Sequence, residues 1–142
     1  MLILCLQKDG KVYAVKLSPD NLSGIEMIDR DHELLMSICN ELFETQNRLG
    51  AHDQIEALLK RLLDHLEQHF KSEEDFHRGA GYHKAQSHQV EHRDLLIKTR
   101  SLMGKHKNGI LSFGDLYKFI ALEVVKEHLE IQDKDFHTFI KK

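Results

Sequence analysis

Between residues 55 and 76, Ile55, Leu59, Leu62, Leu66, His69, Glu73 and Phe76 recur in alternating steps of four and three. That spacing belongs to a helix face buried against other helices. His69 and Glu73 lie four residues apart, so they project from one face and replace leucine at two consecutive core positions. Burial makes demands on both. A buried carboxylate needs a cation or a proton, and a buried imidazole needs partners. Taken alone, this stretch fits a satisfied core histidine beside a capped glutamate as well as it fits a metal site.

Three further segments carry the same periodicity. Ile28, His32, Leu35, Cys39, Leu42, Gln46 and Leu49 predict a first helix over about 28–49, stopped by Gly50. The second helix should open at Asp53, with Glu56 completing a capping-box-like pair, and end in Gly79-Ala80-Gly81. The third should run from Lys84 to just before Asn108-Gly109, with His88, His92, Leu95, Thr99 and Leu102 on its seam. The fourth should open at Ser112, with Asp115 in the capping box, and continue to about Ile140. Leu116, Ile120, Val124, His128 and Ile131 line one side of it. Long amphipathic helices joined by short loops predict an all-α fold, an antiparallel up-down-up-down four-helix bundle over residues 22–142. Residues 1–21 read differently. Leu2–Leu6 and Val12–Val15 flank Lys8-Asp9-Gly10-Lys11, which predicts a short N-terminal β-hairpin or arm, followed by a turn-rich linker at Ser18-Pro19-Asp20-Asn21. An isolated hairpin is marginal in water, so it is expected to pack on the bundle or to join a second copy in a homo-oligomer.

A chain of 142 residues with 41% apolar content suits one domain with one core. A formal charge of −3 without a basic stripe argues against nucleic acid as a partner. No apolar run approaches a membrane span and no secretory signal opens the chain, so a cytoplasmic location is expected. Cys5 and Cys39 form no CxxC pair, and Cys39 falls on a core seam. The unusual count is His, at 11, which makes metal the first hypothesis to test.

His32, His69, Glu73, His88, His92 and His128 place a polar ligand type on or beside the buried face of every helix, and Asp133 follows His128 by five residues. That many buried imidazoles cannot all find hydrogen-bond partners in one small core, whereas a metal centre satisfies them together. Five histidines and two carboxylates exceed what one tetrahedral zinc can use, and they suit two ions with bridging carboxylates. Imidazole with carboxylate favours iron.

The order His32, His69-x3-Glu73, His88-x3-His92 and His128-x4-Asp133 resembles hemerythrin in its bacterial single-domain form. The flanks Leu22-Ser23-Gly24-Ile25, Ile28-Asp29 and Gly81-Tyr82 agree with it, and the likeness covers roughly Leu22 to Phe139. It implies that His88, His92 and His128 hold one iron, that His32 and His69 hold the other, and that Glu73 and Asp133 bridge both. One coordination position then stays open on the iron held by His32 and His69. The implied function is reversible O2 binding at a non-haem, oxo- or hydroxo-bridged di-iron centre, for storage, delivery or sensing. Phe70, Val125 and Leu129 match positions near the family's dry O2 pocket. No residue is assigned a catalytic role, and the apolar seam around the site favours binding over turnover. Two alternatives stand beside this one: a di-iron enzyme on the same site that reduces peroxide or nitric oxide, and an oxygen or iron sensor module whose hairpin docks a partner.

Spacing alone does not assign Asp133. Five residues are about 140° apart around an α-helix, so the resemblance decides its role. The remaining histidines are expected outside the site. His65 and His77 fall off the second helix's seam and should be solvated, and His52, His83, His106 and His137 read as surface residues. The absence of tryptophan, and His83 where proline is common, depart from the family pattern.

Overall fold

The computed structural model describes the backbone of residues 4–8, 11–16, 23–46 and 48–140; side chains are described over the same residues except in the two strands and at 125–127, 129–132 and 134. From residue 26 onward the fold is a helical bundle. Helix α1 spans Glu26–Gln46, α2 His52–Gly79 and α3 Ala85–Lys107. The fourth helix, residues 113–140, is wound in three parts: α4 at Phe113–Tyr117, a π-helical stretch at Lys118–Asp133, and α5 at Lys134–Ile140.

Side-chain pairs fix the relative directions of the helices. Glu41, late in α1, meets Arg61, early in α2, while Asp31 meets His69. Glu67 pairs with Arg100, and Glu73 with His92, so α2 and α3 also run antiparallel. Lys98 with Glu123 and Lys105 with Asp115 set α3 against the fourth helix in the same way. The rings of Phe43 and Phe113 sit 5.9 Å apart and close the bundle between α1 and α4.

The helix ends follow local chemistry. Before α1, the Asp29 carboxylate accepts from the backbone N–H of Ser23 at 2.7 Å, from that of Gly24 at 3.2 Å and from the Ser23 hydroxyl at 2.8 Å. This fold-back fixes the first turn and hence the placement of His32, one turn further on. Ser112 and Asp115 form the expected reciprocal capping box. The box expected at Asp53 and Glu56 does not form. Ala51 occupies the cap position, and no side chain bonds to it. Gly50 and Gly81 take positive φ of 73° and 66°, which lets the chain reverse between α1 and α2 and between α2 and α3.

Inside, the layers alternate in character. One apolar cluster around Leu35, Leu42, Leu59, Leu62, Leu66, Phe70, Leu116, Ile120 and Val124 fills most of the bundle, with Cys39 buried in it. A small cap of Ile28, Tyr82 and Phe136 closes the end near the α2–α3 loop. Between them lies a polar layer of His32, His69, Glu73, His77, His88, His92, His128, Asp133 and His137. Leu49, expected on the α1 seam, is fully exposed because α1 ends at Gln46.

At the N-terminus the backbones of Leu4–Lys8 (β1) and Lys11–Lys16 (β2) pair antiparallel, and β2 runs beside α1. The Asp9-Gly10 turn, the linker at 18–21 and the strands' side chains lie outside the described residues, and with them the apolar face on which the docking expectation rests.

Candidate metal centre

Each helix delivers its polar residues to one level of the bundle. The four helices bring His32, His69, Glu73, His88, His92, His128 and Asp133 there, none more than 2% exposed. Two sets of ligand atoms lie within 4.8 Å of one another: His32, His69, Glu73 and Asp133, and Glu73, His92, His128 and Asp133. Glu73 and Asp133 belong to both. Glu73 Oε2 lies 3.1 Å from His69 Nε2 and 3.7 Å from His32 Nε2. Its Oε1 lies 3.1 Å from His92 Nε2 and 3.8 Å from His128 Nε2. The two oxygens of one carboxylate thus face the two halves of the site. Asp133 Oδ2 approaches His32 Nε2 at 3.1 Å and His128 Nε2 at 3.3 Å. His88 stands slightly apart, its Nδ1 4.0 Å from Asp133 Oδ1, and groups with Glu73 and His77.

The winding of the fourth helix explains how His128 and Asp133 meet. In a π-helix, i→i+5 hydrogen bonding places residue i+5 nearly over residue i. His128 and Asp133 both fall within Lys118–Asp133, so the five-residue spacing that separates them on an α-helix brings them together here.

Hydrogen bonding leaves the layer incomplete. Both oxygens of Asp133, and the Nδ1 atoms of His88 and His92, are buried without a hydrogen bond. A group of this kind costs about 1–3 kcal/mol when unsatisfied, and imidazole with carboxylate is a donor set for a divalent transition metal. The residues fit a metal centre on both counts.

Residues 23–140 match the hemerythrin HHE cation binding domain. The chain belongs to the hemerythrin family. It is 27% identical over 124 residues to a bacteriohemerythrin from Clostridium acetobutylicum, an alignment covering 80% of this chain and 91% of that protein. No solved structure matches the chain.

The hemerythrin-type layer is electrostatically uneven. Burial alone would lower the His69 pKa, but the Glu73 carboxylate and hydrogen bonding to Asp31 and Glu73 outweigh it and hold the group up to about 9. Burial likewise works to raise Glu73, yet His69 and the bonds from His32, His69 and His92 keep it well below the carboxylate range. Asp133 goes the other way, raised by burial and then by the Glu73 charge. The two carboxylates are thus driven in opposite directions. Burial pushes His128 and His88 down, and His77 down to about 4, so these rings stay neutral and keep a lone pair for a metal.

Several residues differ from expectation. His77 is fully buried, not solvated, and Phe76, expected on the seam, is only half-buried. An α-helix drifts about 20° per heptad against a strict four-and-three repeat, so near its end the buried stripe of α2 moves one residue on. His106 and His137 are buried as well. The His106 ring N–H donates to the His52 carbonyl at 2.8 Å. His65 is half-buried and donates to the Asp31 carbonyl at 2.9 Å, whereas His52 and His83 are exposed as expected. Asp31 was not anticipated at all. Its carboxylate accepts from His69 Nδ1 at 3.1 Å, which turns Nε2 of that ring towards Glu73. An acidic residue directly before His32 was the available signal. Phe70 is buried, with its ring stacked 4.0 Å from that of His92 and edge-on to His128 at 5.2 Å. The side chains of Val125 and Leu129 lie outside the described residues. Among the described residues, no helix is long and apolar enough to cross a membrane.

Proposed function

We propose that this chain reversibly binds O2 at a non-haem di-iron centre in the core of an up-down-up-down bundle. His32 and His69 would hold one iron, His88, His92 and His128 the other, and Glu73 and Asp133 would bridge them. The observation that carries this reading is the pair of ligand sets that share both carboxylates. Family membership and the name of the bacteriohemerythrin relative support it. Such a centre supplies O2 binding coupled to electron transfer from both metals.

The chain's own residues prepare that chemistry. Asp31 orients His69. Charge-paired Glu73 offers one oxygen to each half of the site. Burial works against the ionised form of Asp133, and a cation bound beside it would favour that form. The Phe70 ring covers the His92–His128 side, and with Val125 and Leu129 it would keep the pocket dry. Binding without turnover is the role that an apolar wall suits. A peroxide- or nitric-oxide-reducing enzyme, or a sensor, would use the same ligands.

An optical spectrum tests the reading. The reduced, iron-loaded chain should gain a visible charge-transfer band in air and lose it when O2 is removed, through repeated cycles. A band that never reverses, together with steady consumption of reductant under peroxide or nitric oxide, would replace binding with enzymatic turnover.

A further inference from the structure

Among the described residues, three buried imidazoles lie outside the proposed iron ligands, His77, His106 and His137, and His77 is the most deeply buried of them. His77 is 0% exposed, and neither of its ring nitrogens has a hydrogen bond. Its neighbours pack the ring without satisfying it: Phe136 edge-on at 4.3 Å and Tyr82 at 5.2 Å. Leucine or methionine would fill this position without the cost of burying two unpaired polar atoms. One further contact gives the ring a use. A nitrogen of His77, a nitrogen of His88 and a carboxylate oxygen of Glu73 lie within 4.8 Å of one another. Two imidazoles and a carboxylate form a three-residue ligand set for a divalent transition-metal ion.

We propose that His77 is an eighth metal-binding side chain, and that with His88 and Glu73 it forms the position where a metal-free chain takes its first divalent transition-metal ion. The proposal rests on the reading that Glu73 and His88 also serve the iron pair. Because both are shared, an ion at this position and a completed pair exclude each other, so the position serves the part-loaded chain. Its place in the fold agrees. His77 lies one turn past Glu73 towards the α2–α3 loop, behind Tyr82, whose hydroxyl donates to the exposed Asp135. The detached placement of His88 agrees too, since its ring already groups with His77 as well as approaching Asp133.

The test is Co2+ titration of the metal-free chain, followed by visible absorption and by competition with a chelator, for the wild type and His77→Leu. The wild type should bind two ions. In His77→Leu the first ion should bind more weakly, on the order of 10- to 100-fold, a loss like that seen when a residue supporting a metal site is removed. The endpoint should still be two ions with the wild-type final spectrum. The metal-free variant should melt no lower than the wild type, which separates lost ligation from lost packing. A second measurement needs no variant: at one equivalent of Co2+, the His77 and His88 ring resonances of the wild-type chain should shift before those of His32. Identical first-ion affinities in wild type and variant, or an unshifted His77, would overturn the proposal and leave the iron pair standing. A wild type that binds fewer than two ions would contradict the pair itself and the loading position with it.

Discussion

The His69 imidazole is held from both sides, by Asp31 at Nδ1 and by Glu73 at Nε2, each at 3.1 Å. Only the Nε2 side faces the shared ligand sets, so the Asp31 bond fixes which nitrogen a metal meets. Asp31→Asn should therefore weaken metal binding by about 10- to 100-fold with little change in the metal-free melt; chelator competition measures this, and unchanged affinity would reduce Asp31 to a helix-surface residue. The seven proposed ligands were legible because each takes a leucine's place on a seam or stands at a family spacing. His77 was not, because a four-and-three count loses register with a 3.6-residue helix over several turns. Asp31 was missed for a different reason: it lies off the α1 seam, and only the packed position of α2 gives its carboxylate a partner.

Among the elements, α2 carries the greatest burden, since it supplies His69, Glu73, His77 and Phe70 as well as Leu59, Leu62 and Leu66 to the main core. Leu62 is fully buried two turns before His69. Leu62→Ala should destabilise the chain by about 2–5 kcal/mol, as other buried leucine truncations do, while leaving the metal count per folded chain unchanged. Denaturant melts and metal analysis of the same sample check both halves. The C-terminal ends of α2 and α3 were readable from glycines and the start of the fourth helix from the Ser112 capping box, whereas α1 stops at Gln46, short of the Gly50 end expected for it. The π-winding of the fourth helix was not readable, because i→i+5 hydrogen bonding leaves no distinct mark on an apolar pattern and shows only in which residues meet. His128 and Asp133 are the two that reveal it.

At the scale of the molecule, a polar layer sealed between an apolar core and an apolar cap makes the metal-free fold sensitive to pH. His77, His88, His128 and His65 are held below the ordinary imidazole value, each mainly by burial. Below about pH 6.5 the unfolded chain takes up protons that these folded rings refuse. Stability should then fall with pH, by about 1.4 kcal/mol per pH unit for each net proton. For His77 that window closes at about 4. His69 has the opposite sign. Its contribution is fully present below about 6.5 and is lost as the pH rises through about 9. Asp133, raised by burial, has the same sign as His69 and works against the four rings. Urea midpoints of metal-free protein should peak near neutrality and drop towards pH 5, and a flat profile from pH 5 to 7 would show that the histidines titrate freely. Metal loading should raise the midpoint at every pH, since the ion binds the folded layer alone.

The central claim is that one chain holds two irons joined through Glu73 and Asp133. Metal analysis with electron paramagnetic resonance on the oxidised, iron-loaded chain reaches it directly. Two irons per chain and no paramagnetic signal are expected, because ferric ions that share bridging ligands couple their spins. One iron per chain with the signal of an isolated high-spin ferric ion, or a single zinc and no iron, would contradict it.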